Sequence, residues 1–265
     1  MSERVSCTVE NGVAEVAMTR PDKLNALDLA MCKALIETAE KLKADKRVRA
    51  VVLRGEGRAF CAGLDFPSMM SLEPQERGWF FEHAPNSAAN QVQRVGWVWR
   101  ELGVPVIAAV HGATFGGGLQ IALGADLRIA APDVQLSVME IKWGLIPDMS
   151  GTQTLRDLVP LDVAKELTWT GRVVGAQEAL SLGLVTKLSE DAVGAARTLA
   201  KEIAGKSPDA IRRGKALLDA AWRGTQAEGF ALEEKLQREL LGGENQMEAV
   251  AANFQKRAPE FKDAE

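Results

Sequence analysis

Glu140 and Asp148 frame the stretch Glu140-Ile-Lys-Trp-Gly-Leu-Ile-Pro-Asp148, and upstream lies His111-Gly-Ala-Thr-Phe-Gly-Gly-Gly118-Leu-Gln-Ile-Ala. Two carboxylates at such a spacing can take up and deliver protons. A glycine turn that opens a helix offers backbone N–H groups without intrahelical partners, and the helix dipole favours negative charge there. An enolate oxygen is that kind of charge, so the combination suits thioester chemistry: an oxyanion held by backbone and protons moved by acids. Gln120, two residues past the glycines, carries an amide that moves no proton but can orient a water.

The elements around these residues have to hold them. The apolar run Val104 to Val110 predicts a buried strand feeding the glycine turn, and Leu119 to Leu123 predicts a helix start. Upstream, Val5 to Val9 and Val13 to Met18 are β-like and separated by Glu10-Asn11-Gly12, a hairpin turn. Asp28 is placed to cap a helix running to about Lys43, with Met31, Leu35, Ala39 and Leu42 on one face. Val48 to Leu53 reads as a buried strand, followed by a glycine-rich loop from Arg54 to Asp65. Residues 66–90 hold three prolines and the cluster Trp79-Phe80-Phe81, which predicts a long, mobile segment with helical pieces. Gln91 to Leu102 reads as helix, Leu127 to Ala130 as a short strand, and Ala176 to Leu182 as helix. From Ala192 on the chain is helix-compatible almost throughout: Ala192 to Ala204, Pro208 to Trp222 and Thr225 to Leu241. The expected organisation is an α/β core over residues 1–191 and a helical region over residues 192–265.

A chain of 265 residues with 46% apolar residues supports a sizeable core. A net charge of −4 gives no general attraction to nucleic acid or to anionic membrane surfaces. Cys7, Cys32 and Cys61 are scattered and odd in number, so neither a disulfide framework nor a metal site is expected, and a reducing cytoplasm is the simplest location. No apolar run approaches the ~20 residues of a membrane span. The N-terminus has no basic segment followed by an apolar one, so no secretory signal is expected. Gly205-Lys-Ser207 is not a phosphate-binding loop, because Ala200 stands where its first glycine belongs.

Five segments, in order, resemble the crotonase superfamily, also called the enoyl-CoA hydratase/isomerase family. They are Arg20-Pro-Asp-Lys-Leu-Asn-Ala-Leu27, Ala59-Phe-Cys-Ala-Gly-Leu-Asp65, Pro105-Val-Ile-Ala-Ala-Val-His-Gly112 with Gly116-Gly-Gly118, Thr170-Gly-Arg, and Ala176-Gln-Glu-Ala-Leu-Ser-Leu-Gly-Leu-Val185. The resemblance covers almost the whole chain. It implies a spiral of β-β-α turns and a C-terminal helical region that trimerises, giving a homotrimer or a dimer-of-trimers hexamer. It implies oxyanion donors at the N–H groups of Ala62 and Gly117. It also implies coenzyme A contacts at Asp22, Lys23, Leu24, Ala62, Gly63, Leu64 and Asp65, with Lys256 reaching the nucleotide, often from a neighbouring subunit. Coenzyme A is then part of the substrate, and no metal or redox cofactor is called for.

The resemblance also implies that hydratases of the family use two glutamates, at the positions of Gln120 and Glu140. Here the first is an amide, which departs from two-glutamate hydration. Asp148 stands where many hydratases have glycine, and the Glu140–Asp148 spacing is similar to the dienoyl-CoA isomerase branch, whose two acids work at opposite ends of a conjugated enolate. Three functions follow. The first is an acyl-CoA isomerase with Glu140 and Asp148 as the acid–base pair. The second is an enoyl-CoA hydratase with Glu140 as base and Gln120 orienting water. The third is a non-catalytic acyl-CoA-binding protein. Plainer roles compete at each residue. Glu140 can be a salt-bridged structural acid, Asp148 a helix cap ahead of Ser150, and the aromatic cluster simple core.

Overall fold

The computed structural model describes residues 4–85 and 87–264. Among the described residues nine strands occur in chain order: β1 (Val5–Glu10), β2 (Val13–Met18), β3 (Ala50–Gly55), β4 (Val106–Val110), β5 (Ala113–Phe115), β6 (Leu127–Ala130), β7 (Gln135–Ser137), β8 (Val174–Gly175) and β9 (Lys187–Leu188). One sheet has the order β1-β2-β3-β4-β6-β9, and a smaller one has β5-β7-β8. β1 and β2 form the antiparallel hairpin, with Asn11 at φ 51° and Gly12 at φ 78°, the two positive values that a tight two-residue turn requires. The remaining pairs of the large sheet are parallel. A parallel sheet has both faces covered, which is why β4 is an unbroken apolar run and is buried along its whole length.

One face packs against the helix Leu29–Ala44, whose N-cap Asp28 accepts from the Met31 N–H at 2.8 Å. Met31, Cys32, Leu35, Ile36, Ala39 and Leu42 are its buried stripe. The helices Gln91–Trp97 and Gly117–Gly124 complete this layer. The predicted helix over 91–102 thus ends early, and residues 98–103 turn toward β4. The second face is covered by the helix Ala192–Ala204. Its Ala192, Ala196 and Ala200 sit against Ala50, Val52, Ile107, Ala109 and Ile129. Small residues four apart let the helix lie close on the sheet. The first helix of the expected C-terminal region, residues 192–265, thus packs on the large sheet.

Beyond it come the helices Pro208–Ala221, Gln226–Leu240 and Glu244–Gln255. Cationic side chains tie them back. Arg212 donates to the Val48 carbonyl at 2.9 Å, and Lys215 donates to the Val104 carbonyl and to Asp126 at 3.0 and 2.8 Å. Among the described residues no helix is long and apolar enough to cross a membrane.

Candidate active site

The loop 59–65 lies along β5. Cys61 donates to the Ala113 carbonyl at 3.1 Å, and Phe115 donates to the Cys61 carbonyl at 3.0 Å. Glycine is required where the next helix meets this loop: a Cβ on Gly118 would stand 2.1 Å from the Cys61 carbonyl oxygen. The direction of each N–H in the first loop can be followed residue by residue. Ala62 donates to the Leu24 carbonyl at 3.0 Å, Asp65 donates to the Leu27 carbonyl at 3.0 Å, and the Cys61 thiol donates to the Asn25 carbonyl at 3.1 Å. On the second loop Gly116 donates to the Ser137 carbonyl at 2.9 Å. Among the described residues the N–H groups of Gly63, Leu64 and Gly117 have no backbone acceptor. All three residues line a cavity of about 90 Å³, with Gly116, Phe66, Glu140 and Trp143 around it. Of the expected donor pair, Gly117 keeps a free N–H, whereas that of Ala62 is already bonded to the Leu24 carbonyl.

Glu140 opens the 3-10 turn Glu140–Trp143 and is buried. Its Oε1 accepts from Gln120 Nε2 at 2.6 Å, whereas its Oε2 is buried without a partner among the described residues. Burial pushes its carboxyl above the ordinary glutamate value, and the charge of Asp148 adds to this against the opposing hydrogen bonds of its own backbone N–H and of Gln120. A salt-bridged structural acid would show the reverse shift. Gln120 lies on the helix Gly117–Gly124, and its Oε1 accepts from the N–H groups of Met149 and Gly151, both at 2.8 Å. A Cβ on Gly116 would come within 3.4 Å of Glu140 Oε1, so the absent side chain opens the approach to this acid.

The Enoyl-CoA hydratase/isomerase family profile matches residues 8–264. The chain belongs to that family. It is 35% identical to human enoyl-CoA hydratase domain-containing protein 2, mitochondrial, over 95% of this chain and 86% of that one. It is 31% identical to mouse methylglutaconyl-CoA hydratase, mitochondrial, over 95% and 80% of the two chains. Among solved structures, an enoyl-CoA hydratase from Bacillus anthracis superposes with a TM-score of 0.89 at 28% identity, covering 98% and 99% of the two chains. The fold is the crotonase spiral, and the protein is an acyl-CoA enzyme of the hydratase/isomerase family.

Within this family frame the other expected residues fall into place unevenly. Asp148 is exposed and does not line the cavity that holds Glu140. It lines a separate cleft of about 380 Å³ with Gln93, Trp97, Ser150 and Thr152. Partial burial still raises its carboxyl above the ordinary aspartate value. It is not the cap of the helix Gly151–Leu158, whose N-cap is Ser150. Asp22 and Lys23 are exposed on the 3-10 turn Pro21–Lys23, and Leu24 follows at φ 51° with its carbonyl holding Ala62. Asp65 is committed within the fold: its carboxylate pairs with Arg20 at 2.8 Å and accepts from the Ser68 N–H at 3.2 Å. Burial would raise its pKa, but the Ser68 and Arg20 bonds prevail and hold it below the ordinary value. Its carboxylate is thus engaged within the fold. Lys256 is the exposed C-cap of the helix Glu244–Gln255 and does not line the cavity.

Asn25 was not singled out from the sequence. It is fully buried at φ 55°. Its amide donates to the Glu56 and Ala59 carbonyls at 2.9 Å each, and its oxygen accepts from the Arg20 N–H at 2.9 Å. One side chain thus joins the 20–27 segment to the base of the 59–65 loop. An asparagine after Leu24, in a stretch where the chain reverses, was its only sequence signal. Of the aromatic cluster, Trp79 and Phe80 pack on the core and Phe81 is exposed.

Proposed function

We propose that the protein shifts the double bond of a 3-enoyl-CoA thioester to the 2-position, with Glu140 as the proton carrier. The thioester oxygen would lie between the Leu64 and Gly117 N–H groups. Glu140 Oε2 takes a proton from Cα, and the bonding pair moves to the carbonyl, giving an oxyanion held by the two N–H groups. Collapse of the enolate re-forms the carbonyl, makes the Cα–Cβ double bond and returns the proton to Cγ. Each oxyanion donor of this kind supplies about 3 kcal/mol or more of transition-state stabilisation.

The observation that carries this reading is the cavity itself. It holds one group able to move a proton, Glu140, inside a lining of Leu64, Phe66, Phe115, Met139, Trp143 and Leu145. A bound water needs two to four polar partners, and a 1,3-proton shift needs no water. Asp148, in the neighbouring cleft, acts on Glu140 through its charge.

One observation favours a second reading, hydration of a 2-enoyl thioester. The free hydrogen on Gln120 Nε2 and the unpartnered Glu140 Oε2 are two polar groups that can share a water. Mass analysis of the product separates the two: unchanged mass for the shift, one added water for hydration. Glu140→Gln should lower turnover ~10²–10⁴-fold with thioester affinity nearly intact. Asp148→Asn should cost under about tenfold. A fall as deep as that of Glu140→Gln would restore the paired-acid mechanism.

We also propose a trimer or hexamer in the cytoplasm. Trp222, Phe230, Leu241, Met247 and Phe254 are exposed on the C-terminal helices, and apolar surface on this scale calls for a covering subunit. Light scattering at micromolar concentration tests it, and a monomeric mass would refute it.

A further inference from the structure

The loop before the helix Gly151–Leu158 has an unusual backbone. Ser150 is not glycine, yet it adopts φ 72°. Its side chain does not cause this, since the hydroxyl is buried without a partner among the described residues. The left-handed residue turns the N–H groups on either side of it, those of Met149 and Gly151, onto one point, as in the backbone nests that bind anions. The point is occupied by Gln120 Oε1, at 2.8 Å from each. Gly151 is also the first residue of its helix, so the positive end of the dipole lies on the same oxygen. Two N–H donors leave no choice of amide orientation: the oxygen must face them and the NH2 must face away. Facing away, Nε2 meets Glu140 Oε1 at 2.6 Å.

We propose that Gln120 is a positioning residue that clamps Glu140 as a carboxylate and leaves Oε2 as its one working oxygen. This rests on the reading of Glu140 as the proton carrier. The clamp is two dipoles in series ending on a charge, helix N-terminus to amide oxygen and amide hydrogen to carboxylate, and each bond polarises the next. It opposes the burial that drives Glu140 toward its neutral form. The strained Ser150 is the part that makes the chain converge. An amide suits the position because a carboxylate there would face Glu140 oxygen to oxygen, and the two could persist only by sharing a proton.

None of the charged groups around Glu140 pairs with it among the described residues, so its own backbone N–H and the Gln120 amide are what oppose burial. Asp148, on the segment leading to Ser150, bears on it as a like charge. Lys142, on the same turn, lies 5.9 Å from the Trp143 ring. On the helix Leu161–Thr170, Lys165 lies 5.9 Å from the Trp169 ring, Glu166 is paired with Arg172 at 2.6 Å, and Asp162 is exposed. The helix Gly117–Gly124 carries no charge.

The test is the titration of Glu140 in the free protein, followed by 13C NMR of glutamate side-chain carboxyls, with Glu140→Gln to assign the signal. The same variants are then read by the pH dependence of kcat/KM. Gln120→Glu keeps an acceptor for Met149 and Gly151, so it should fold. It should raise the apparent pKa of the Glu140 pair by at least one unit and move the acid limb of the rate profile up with it. Gln120→Met removes the donor and should also raise the Glu140 pKa, with kcat down about tenfold. Ser150→Gly keeps the left-handed turn and should leave the Glu140 pKa in place. A Glu140 pKa unchanged in Gln120→Glu and in Gln120→Met would overturn the clamp. If the NMR titration shifts as expected but the wild type turns over no acyl thioester, the clamp stands and the proposed reaction falls.

Discussion

Gly63→Ala is the substitution that most directly separates the two oxyanion loops. Gly63 sits at φ +88°, and a Cβ there would stand 2.7 Å from the Phe115 carbonyl oxygen on the other loop and 3.7 Å from the Gly117 nitrogen. Two costs follow. A left-handed alanine costs about 1–2 kcal/mol. The contact with Phe115 is backbone against side chain, so nothing flexible can yield, and the loops must part by roughly half an ångström to reach an ordinary separation. Leu64 is the next residue, and its N–H moves with the loop. Misplacing a group by about 1 Å costs ~10²-fold, and losing an oxyanion donor costs ~10²–10³-fold. Gly63→Ala should therefore lower kcat by about 10–10²-fold on the thioester that the wild type consumes.

Gly242→Ala is the control. Gly242 is at φ +79° with nothing within 4 Å of its would-be Cβ, so it carries the conformational cost alone. It should lose about 1–2 kcal/mol in thermal unfolding and no activity. The assay is initial rate by mass detection alongside the melting curve. If Gly63→Ala folds and keeps kcat within about twofold of wild type, the two loops do not act together on the thioester oxygen.

Other expectations can be checked with simpler measurements. Asp65→Asn removes the charge that holds Arg20 and should cost about 1–3 kcal/mol in thermal unfolding, with kcat lowered because the first loop loosens. Glu15 is pulled down to about 2 by the Arg197 hydrogen bond, with Arg54 assisting against burial, and it joins the helix Ala192–Ala204 to the sheet. Its contribution is present above the ordinary value of 4.5 and is lost as pH falls through about 2. Glu15→Gln should thus cost about 1–2 kcal/mol in denaturant unfolding at neutral pH, and the difference from wild type should vanish at the acid end.

Much of this architecture was legible in the sequence where local signals and tertiary packing agree. The Asn11-Gly12 turn, the Asp28 cap and the strand Leu127–Ala130 all appear as expected. The helices Ala176–Leu182 and Ala192–Ala204 do too, but their packing does not follow from periodicity. Three alanines at helical spacing look the same whether they meet a sheet or a neighbouring subunit, so the sequence does not say which surface this helix covers. The site was legible to the level of its two loops and Glu140. The spacing of Ala59 to Asp65 could not say which N–H points inward, because that depends on the left-handed turn at Gly63 and on the capture of Ala62 by Leu24. Gln120 was visible as a departure from two glutamates. Its bond to Glu140 was not, because the partners that orient its amide are N–H groups 29 and 31 residues away.

Enolate formation is the step that both double-bond shift and hydration share, and hydrogen exchange at Cα reads it directly. The protein, in D2O with a saturated acyl-CoA that offers no second site for the proton, should replace the Cα hydrogens with deuterium, followed by mass and proton NMR. Glu140→Gln should slow the exchange by ~10² or more while the thioester still binds. A wild-type protein that binds the thioester and exchanges no Cα hydrogen, or a Glu140→Gln variant that exchanges as fast as wild type, would contradict the assignment of Glu140 as the base facing an oxyanion held by Leu64 and Gly117.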